Sequence, residues 1–366
     1  MSGTVSLWYQ KKDKRKKKAP AISVHINFWR HFQKDYESRN TFLDIGIMLE
    51  AATNIKELYL FVPTRVTASQ ISDLGKKLTD KTTLQAVFND ALAVRNAPDQ
   101  KSFEAIGEDD KVIFVCHLID RPSDLVIQNG NYGELEEGCL ITLTKRVCAR
   151  LAKSKKQYFR LRIRLSEKQI GSFITIDTPK DRNFLSSFQR TEIIEFKLNE
   201  QRSYPKKIVE FQNRADAGSF QINEVNYFLI RSFRNDYIAS NNNFIKLRRL
   251  EETKWKNYLS DGNEEIQTDS MLIYQWKNKV GKERLKIEDF SALAKFRLSN
   301  PNVIWFVIIV LMLGVIGNVF ASAAAALLED FLHITSKQAN WGLALSLGAA
   351  LAIWLDSQFG NQLRSE

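Results

Sequence analysis

The chain has 366 residues, 44% of them apolar, and carries 53 Lys and Arg against 42 Asp and Glu. That length holds one large or two medium soluble domains plus a membrane segment, and the net +11 charge favours phosphate-bearing partners such as nucleotides, nucleic acid or anionic headgroups. Three cysteines (Cys116, Cys139, Cys148) without a CxxC spacing argue against a disulfide scaffold and fit a reducing cytosol.

Residues 1–20 open with Leu7-Trp8-Tyr9 and run into KKDKRKKK, seven cations in eight. Such a run reads as a solvated basic segment, with anionic lipid or nucleic acid as its alternative contacts. No apolar stretch follows it, because Ser23, His25, Asn27, Arg30 and His31 interrupt 21–32, so no secretory signal is expected. Over 21–150, runs at 21–29, 42–48, 58–62, 112–119 and 140–144 predict strands. Helical spacing predicts helices at 68–78 and 83–94. Pro63, Pro98, Pro122 and NGNYG at 129–133 mark turns. A basic part, 151–243, adds predicted strands at 158–165, 173–177, 191–198 and 227–232. Residues 244–300 are expected to be a helical coupling segment. One amphipathic helix covers 244–259, with Phe244, Leu247, Leu250 and Leu259 on its apolar side, and a second covers 285–298. The expected fold class is α+β: a predominantly β, sandwich-like cytosolic body with helical additions, followed by two C-terminal transmembrane helices.

The last 68 residues carry only two basic and four acidic side chains, so the whole of the net positive charge belongs to the body. Thirteen of the residues from 303 to 321 are Leu, Ile, Val or Phe. Together they contribute roughly −4 to −8 kcal/mol to insertion, and about 20 apolar residues cross the hydrocarbon. The first span is therefore placed at 301–328, opened by Ser299-Asn300-Pro301. A weaker second span covers 339–356. Its Gly342, Ser346 and Ala350 lie four apart and suit close helix packing in lipid. Lys295 and Arg297 precede the first span, which puts the body and the tail 357–366 in the cytoplasm and the connector 329–338 outside. A multi-pass protein of the inner (plasma) membrane is expected, with membrane lipids among its partners. Gly314, Asn318 and Ser322 share one face of the first span. They provide either an interhelical hydrogen bond or a pore-facing stripe; the latter needs a homo-oligomer, a tetramer or similar, since two helices cannot enclose a pore.

The clearest chemical pattern is KSKKQYFRLRIRL at 153–165. Strand periodicity sets Arg160, Arg162 and Arg164 on one face and Phe159, Leu161, Ile163 and Leu165 on the other. Such a row invites an anion, and arginine forks suit phosphate. Lys153, Lys155 and Lys156 extend the row, with Arg146 and Arg150 close by in sequence. A second cluster, Arg231, Arg234, Lys246, Arg248 and Arg249, is interleaved with Phe228, Phe233, Tyr237 and Phe244. Cations beside rings fit a nucleotide or a short single-stranded oligonucleotide. Against this stands a solvated basic face whose rings belong to the core.

Asp177 and Glu195-Phe196-Lys197 give a loose D…ExK arrangement of the kind that holds Mg²⁺ in nucleases. His25, His31, His117 and His333 have no zinc spacing with the cysteines, and no GxSxG, Walker A or HExxH occurs. No catalytic residue, metal or cofactor is assigned, and an enzyme is not expected.

In layout, a cytosolic sensor-like body feeding a C-terminal two-helix module resembles the membrane effectors of bacterial anti-phage systems, and most nearly the channel-forming effectors of the Hailong type. The resemblance covers the architecture of the whole chain and carries no residue roles with it. It implies an oligomeric channel held shut by a short DNA oligomer, and a co-encoded nucleotide-synthesising enzyme as partner. On that reading the arginine strand and the aromatic-basic cluster form the oligonucleotide groove. Helix 285–298 would couple, and the face of Gly314, Asn318 and Ser322 would line the pore. A membrane-anchored scaffold without pore activity, or a tethered nuclease, are the alternatives.

Overall fold

The computed structural model describes residues 3–16, 18–31, 40–50, 52, 54–96, 101–133, 137–151, 155–177, 189–233, 235–242, 244–260, 271–281, 286–299 and 303–332. The chain divides into two compact units, Met1–Ser299 and Asn300–Glu366. The first begins with β1 (Ser6–Lys11), β2 (Ala21–His31), β3 (Asn40–Glu50), β4 (Ile55–Val62) and β5 (Ile71–Asp73). Helix α1 (Lys81–Phe88) leads to β6 (Ala93–Asn96), β7 (Ser102–Ile106) and β8 (Val112–His117). Next come α2 (Arg121–Asp124), β9 (Leu125–Asn131), β10 (Glu137–Leu143), α3 (Lys145–Ala149), β11 (Lys156–Leu165), β12 (Ile174–Asp177) and β13 (Gln189–Leu198). The unit ends with α4 (Lys206–Gln212), β14 (Ala217–Ser219), β15 (Gln221–Ser232), β16 (Asn235–Ser240), β17 (Lys246–Arg249), α5 (Glu252–Leu259), β18 (Met271–Lys279) and β19 (Phe290–Ser299). In the second unit the described element is α6 (Val303–Leu332).

The fold is mixed α+β and predominantly β. Three sheets build the first unit: a ten-stranded one in the order β17-β18-β15-β2-β3-β11-β8-β7-β6 with β5 added to β11, a five-stranded β14-β1-β4-β10-β9, and a four-stranded β12-β13-β19-β16. Period-two alternation decides which face goes inward. Ile22, Val24, Ile26 and Phe28 of β2 and Phe159, Leu161, Ile163 and Leu165 of β11 point to one side of the large sheet. There they join Leu58 and Leu60 of β4 and Phe196, Ala294 and Phe296 of β13 and β19 in one continuous core. Helices cover the other side. Trp255, Tyr258 and Leu259 of α5 pack on Trp29 and Phe42, and Leu84 of α1 joins Met48, Phe114 and Tyr158. Ile208 of α4 closes the outer face of the five-stranded sheet over Trp8, Phe61 and Leu140.

Every predicted strand corresponds to a strand. The parts 21–150 and 151–243 share one sheet, because β3 pairs with β11 and β2 pairs in parallel with β15. The N-terminal basic segment is structured where it begins: Val5, Leu7 and Tyr9 are core residues, and only the lysine run after β1 is exposed. The helix expected at 68–78 is instead two short 3-10 turns flanking β5. That expected at 244–259 is helical only from Glu252, because β17 precedes it.

The coupling helix at 285–298 is a strand. In FSALAKFRL the residues Phe290, Ala292, Ala294, Phe296 and Leu298 are all buried, a strict alternation that small alanines and the partly exposed Leu293 disguise as a helical stripe. β19 lies between β13 and β16, antiparallel to both.

α6 is 30 residues long, about 45 Å at 1.5 Å per residue, against about 30 Å of hydrocarbon. Its Val310–Leu327 stretch is long and apolar enough to cross a membrane and is only 6% buried. Val315, Val319, Leu327 and Phe320 are 63–70% exposed. Gly314, Asn318 and Ser322 lie on this helix and are exposed. The second predicted span, with Gly342 and Ser346, lies outside the described residues.

Candidate functional site

Arg160, Arg162 and Arg164 do share one face of β11, but that face is closed. α5 lies over it, and Arg160 and Arg162 are 1% and 2% exposed. Asp44, their neighbour on β3, accepts Nε and Nη2 of Arg162 at 2.7 and 3.0 Å. It also accepts Trp29 Nε1 at 2.8 Å and Tyr258 Oη at 2.7 Å. Arg162 Nη1 donates to the Tyr258 carbonyl at 3.3 Å. Arg160 donates to the hydroxyls of Tyr258 and Tyr158 at 2.7 and 2.8 Å. Position 46 of β3 must be glycine here, because a Cβ would collide with the Tyr158 hydroxyl. One carboxylate, two phenols and a carbonyl thus supply from within what a phosphate would have supplied from outside. The expected groove on β11 is a filled interior.

His25 completes this layer, 5.8 Å from the Phe88 ring and 5.7 Å from that of Tyr158. Burial, and next the charge of Arg160, pushes it down to about 4, so the imidazole is neutral at pH 7. Arg164 lies over the Phe42 ring at 5.6 Å. Lys155 pairs with Glu104 at 2.6 Å and Lys156 with Glu50 at 3.0 Å. Lys153 lies outside the described residues.

The second cluster is also divided. Arg231 is fully buried, pairs with Glu192 at 3.0 Å and stacks on Phe296 at 4.4 Å. Burial pushes its guanidinium down to about 10, with Glu192 opposing. Lys246, Arg248 and Arg249 lie on β17, at the end of the ten-stranded sheet, where Arg248 Nη1 donates to Asn89 Oδ1 at 3.4 Å. Arg234 is outside the described residues. Phe228, Tyr237 and Phe244 pack against the cores, and Phe233 is 54% exposed. Among the described residues, then, the cluster is split between the interior and the β17 end of the sheet.

The loose nuclease pattern does not converge. Asp177 is opposite Thr191 in the β12–β13 register, four positions from Glu195, which is about 13 Å along a strand. Lys197 is taken up by Glu195 at 3.4 Å and Glu200 at 3.0 Å.

Cations surround open space elsewhere. A cleft of about 610 Å³ lies between the turn after β5, the β8–α2 connection and α3, with Lys76, Lys101, Arg121, Arg146 and Arg150 in its lining. Arg121 Nη1 donates to the carbonyls of Ala68 and Ile71 at 3.1 and 2.7 Å, fixing one wall. Arg150 Nη2 donates to Asp124 at 2.7 Å, while Arg146 Nε is 3.8 Å from the same carboxylate. Two groups are left over: Arg150 Nε and Asp73 Oδ2 are buried without a hydrogen-bond partner. Burial pushes the Asp73 carboxyl up to about 6 against the pull of the Gly75, Ile119 and Lys76 amides. Four exposed cations, Lys76, Lys101, Arg121 and Arg146, line the cleft above the buried Arg150 Nε and Asp73 Oδ2.

Arg146 and Arg150 were legible as neighbours of the arginine strand. Lys76 (beside Lys77), Lys101 and Arg121 are far apart in sequence, so nothing local marked them as a group. Compared with known proteins, the chain matches no family model and no curated sequence.

Proposed function

We propose that this chain is a membrane-anchored, non-enzymatic effector whose basic β body receives a phosphate-bearing ligand, a nucleotide or short oligonucleotide, and acts on the inner membrane through α6. The observation that carries the reading is α6 itself, whose apolar surface is left uncovered over a span-length stretch. A helix with that surface is costly in water and stable in lipid. The ligand half is supported by the cleft of Lys76, Arg146 and Arg150, in a chain of net charge +11. In chain order β19 continues into α6, so the coupling element is an inner strand rather than the expected helix.

The pore half rests on the polar face of Gly314, Asn318 and Ser322 and on the likeness in layout to Hailong-type defence effectors. It requires a homo-oligomer. A ligand that binds one gate state tenfold better shifts the gate by about 1.4 kcal/mol per site. The test is expression of the full chain and of a version ending at residue 301, with membrane potential in cells and dye release from liposomes as readouts. Depolarisation and release that need residues 302–366 are expected. A full chain that leaves liposomes tight overturns the pore. The membrane-anchored scaffold then remains, favoured by the fact that one described span suffices to tether, and it predicts that an unrelated anchor restores function.

A further inference from the structure

The outer face of the five-stranded sheet holds a second opening whose chemistry is the reverse of the cleft's. It is a trough of about 280 Å³ floored by β1, β4, β9 and β10 and walled by Phe211 and Arg214 at the end of α4. Trp8 and Tyr59 lie side by side on its floor, with ring centroids 5.4 Å apart and planes at 27°. The wall already holds a cation on a ring, since the Arg214 guanidinium sits 4.4 Å over Phe211.

Two carboxylates flank these rings. Glu57 Oε2 accepts the Tyr59 hydroxyl at 2.7 Å, and Asp216 Oδ2 accepts the Gln10 amide at 2.6 Å. Among the described residues neither has a Lys or Arg at ion-pair distance. Elsewhere Glu104, Asp124, Glu192 and Glu200 each have at least two cationic partners.

We propose that this trough binds a small organic cation, a primary or quaternary ammonium group, against the half-buried ring of Tyr59 and between the carboxylates of Glu57 and Asp216, beside the Phe211 face that Arg214 already covers. A ring face attracts a desolvated cation through its quadrupole. The carboxylates offset the loss of water that entry imposes on the charge. An anion meets two carboxylates here, with Arg214 the cation in the lining. A bare divalent ion is disfavoured too, because it wants six or more oxygens and no group of three acidic or metal-binding side chains occurs among the described residues. Burial, and next the Glu57 carboxylate, raises the Tyr59 hydroxyl well above its ordinary value, so the ring stays a neutral phenol that directs its proton to Glu57.

The ammonium group has two sources, a free amine or the ethanolamine or choline headgroup of a lipid. Titration calorimetry on the full chain in a maltoside detergent separates them. The probes are choline, ethanolamine, short-chain phosphatidylethanolamine and 3,3-dimethylbutan-1-ol, the uncharged isostere of choline. Choline or ethanolamine should bind at least tenfold more tightly than the isostere. Tighter binding of the short-chain lipid than of free ethanolamine points to a headgroup; the reverse points to a free amine. Glu57→Gln and Asp216→Asn should each weaken binding about tenfold with an unchanged melting temperature, since both amides keep the acceptor oxygen that Tyr59 and Gln10 use. These variants are preferred to Trp8→Ala, because Trp8 is 3% exposed and packs in the core beneath α4. Equal affinity for the isostere, full affinity in both variants, or no heat from millimolar choline on the folded chain overturns the proposal.

Discussion

Glu192 Oε2 accepts Arg231 Nη2 at 3.0 Å, and its other carboxylate oxygen accepts Arg30 Nη2 at the same distance. Arg30 and Arg231 stand opposite each other on the parallel strands β2 and β15, so two like charges meet on one face of the ten-stranded sheet. The single carboxylate that reconciles them comes from β13, in the sheet that also holds β19. All three side chains are fully buried. Burial by itself would raise the Glu192 carboxyl, but Arg231 and Arg30 outweigh it and hold it below its ordinary value.

Removing the shared anion leaves two buried guanidinium groups facing each other. Glu192→Gln is expected to lower stability by about 3–5 kcal/mol, the usual cost of breaking a buried pair from one side. Replacing all three residues by Met, Leu and Met should recover most of that loss, since the desolvation penalty goes with the charges. Urea midpoints of the full chain in detergent decide it. A Gln variant within 1 kcal/mol of wild type would mean that Glu167, 3.0 Å from Arg30, already carries the site.

His25 and Asp73 should titrate against each other. His25 is pushed down from 6.5 to about 4, by burial first. Its unfolded form takes up a proton that the folded form refuses, so stability is full above pH 6.5 and is lost as pH falls to 4. Asp73 is raised from 3.8 to about 6 by burial. Its folded form takes up the proton first, so stability rises as pH falls through 6, and the gain is complete below 3.8. Relative to wild type, His25→Gln should gain melting temperature between pH 6.5 and 4, and Asp73→Asn should lose it over pH 6 to 4. Parallel melting curves for all three proteins would contradict both assignments.

Much of the β body was legible because alternation is a local signal. Ile22-Ser23-Val24-His25-Ile26-Asn27 states which face of β2 goes inward, and Phe159 to Leu165 does the same for β11. What covers the opposite face is not local. Asp44 meets Arg162 from 118 positions away and Tyr258 meets Asp44 from 214, so the arginine row reads as open until α5 is placed. The same limit hid the cleft, whose cations come from segments between Lys76 and Arg150. β19 was misread for a different reason: alanines at 292 and 294 supply burial without the hydrophobic weight that marks a strand.

The cleft makes a separable prediction about affinity and salt. Lys76 and Arg146 are exposed, so their alanine variants should fold normally. Each should weaken binding of a nucleoside triphosphate or short single strand to the full chain, and each should reduce the slope of log affinity against log salt by about 0.7–0.9 for every phosphate contact removed. Arg162→Ala should behave oppositely, lowering stability by several kcal/mol through the unpaired Asp44 while leaving the affinity of the folded fraction and its salt slope unchanged. Retained affinity in the Lys76→Ala, Arg146→Ala double variant would remove the cleft from the proposed function.

The polar face of α6 separates a tether from a pore. Asn318 is exposed on the helix, and among the described residues nothing beyond the helix's own turn lies within 4 Å of where a Cβ would stand at Gly314 or Gly317. A side chain at either position is therefore sensitive to any helix that packs there. Asn318→Leu makes the span more apolar, so membrane insertion is expected to be retained or strengthened. If the stripe faces a water-filled path, dye release from liposomes should fall sharply with unchanged membrane recovery, and Gly314→Leu should change the oligomer seen by crosslinking. If the helix is only a tether, both variants should match wild type in every readout. Release that persists at the wild-type rate in Asn318→Leu would place the path, if there is one, on another face.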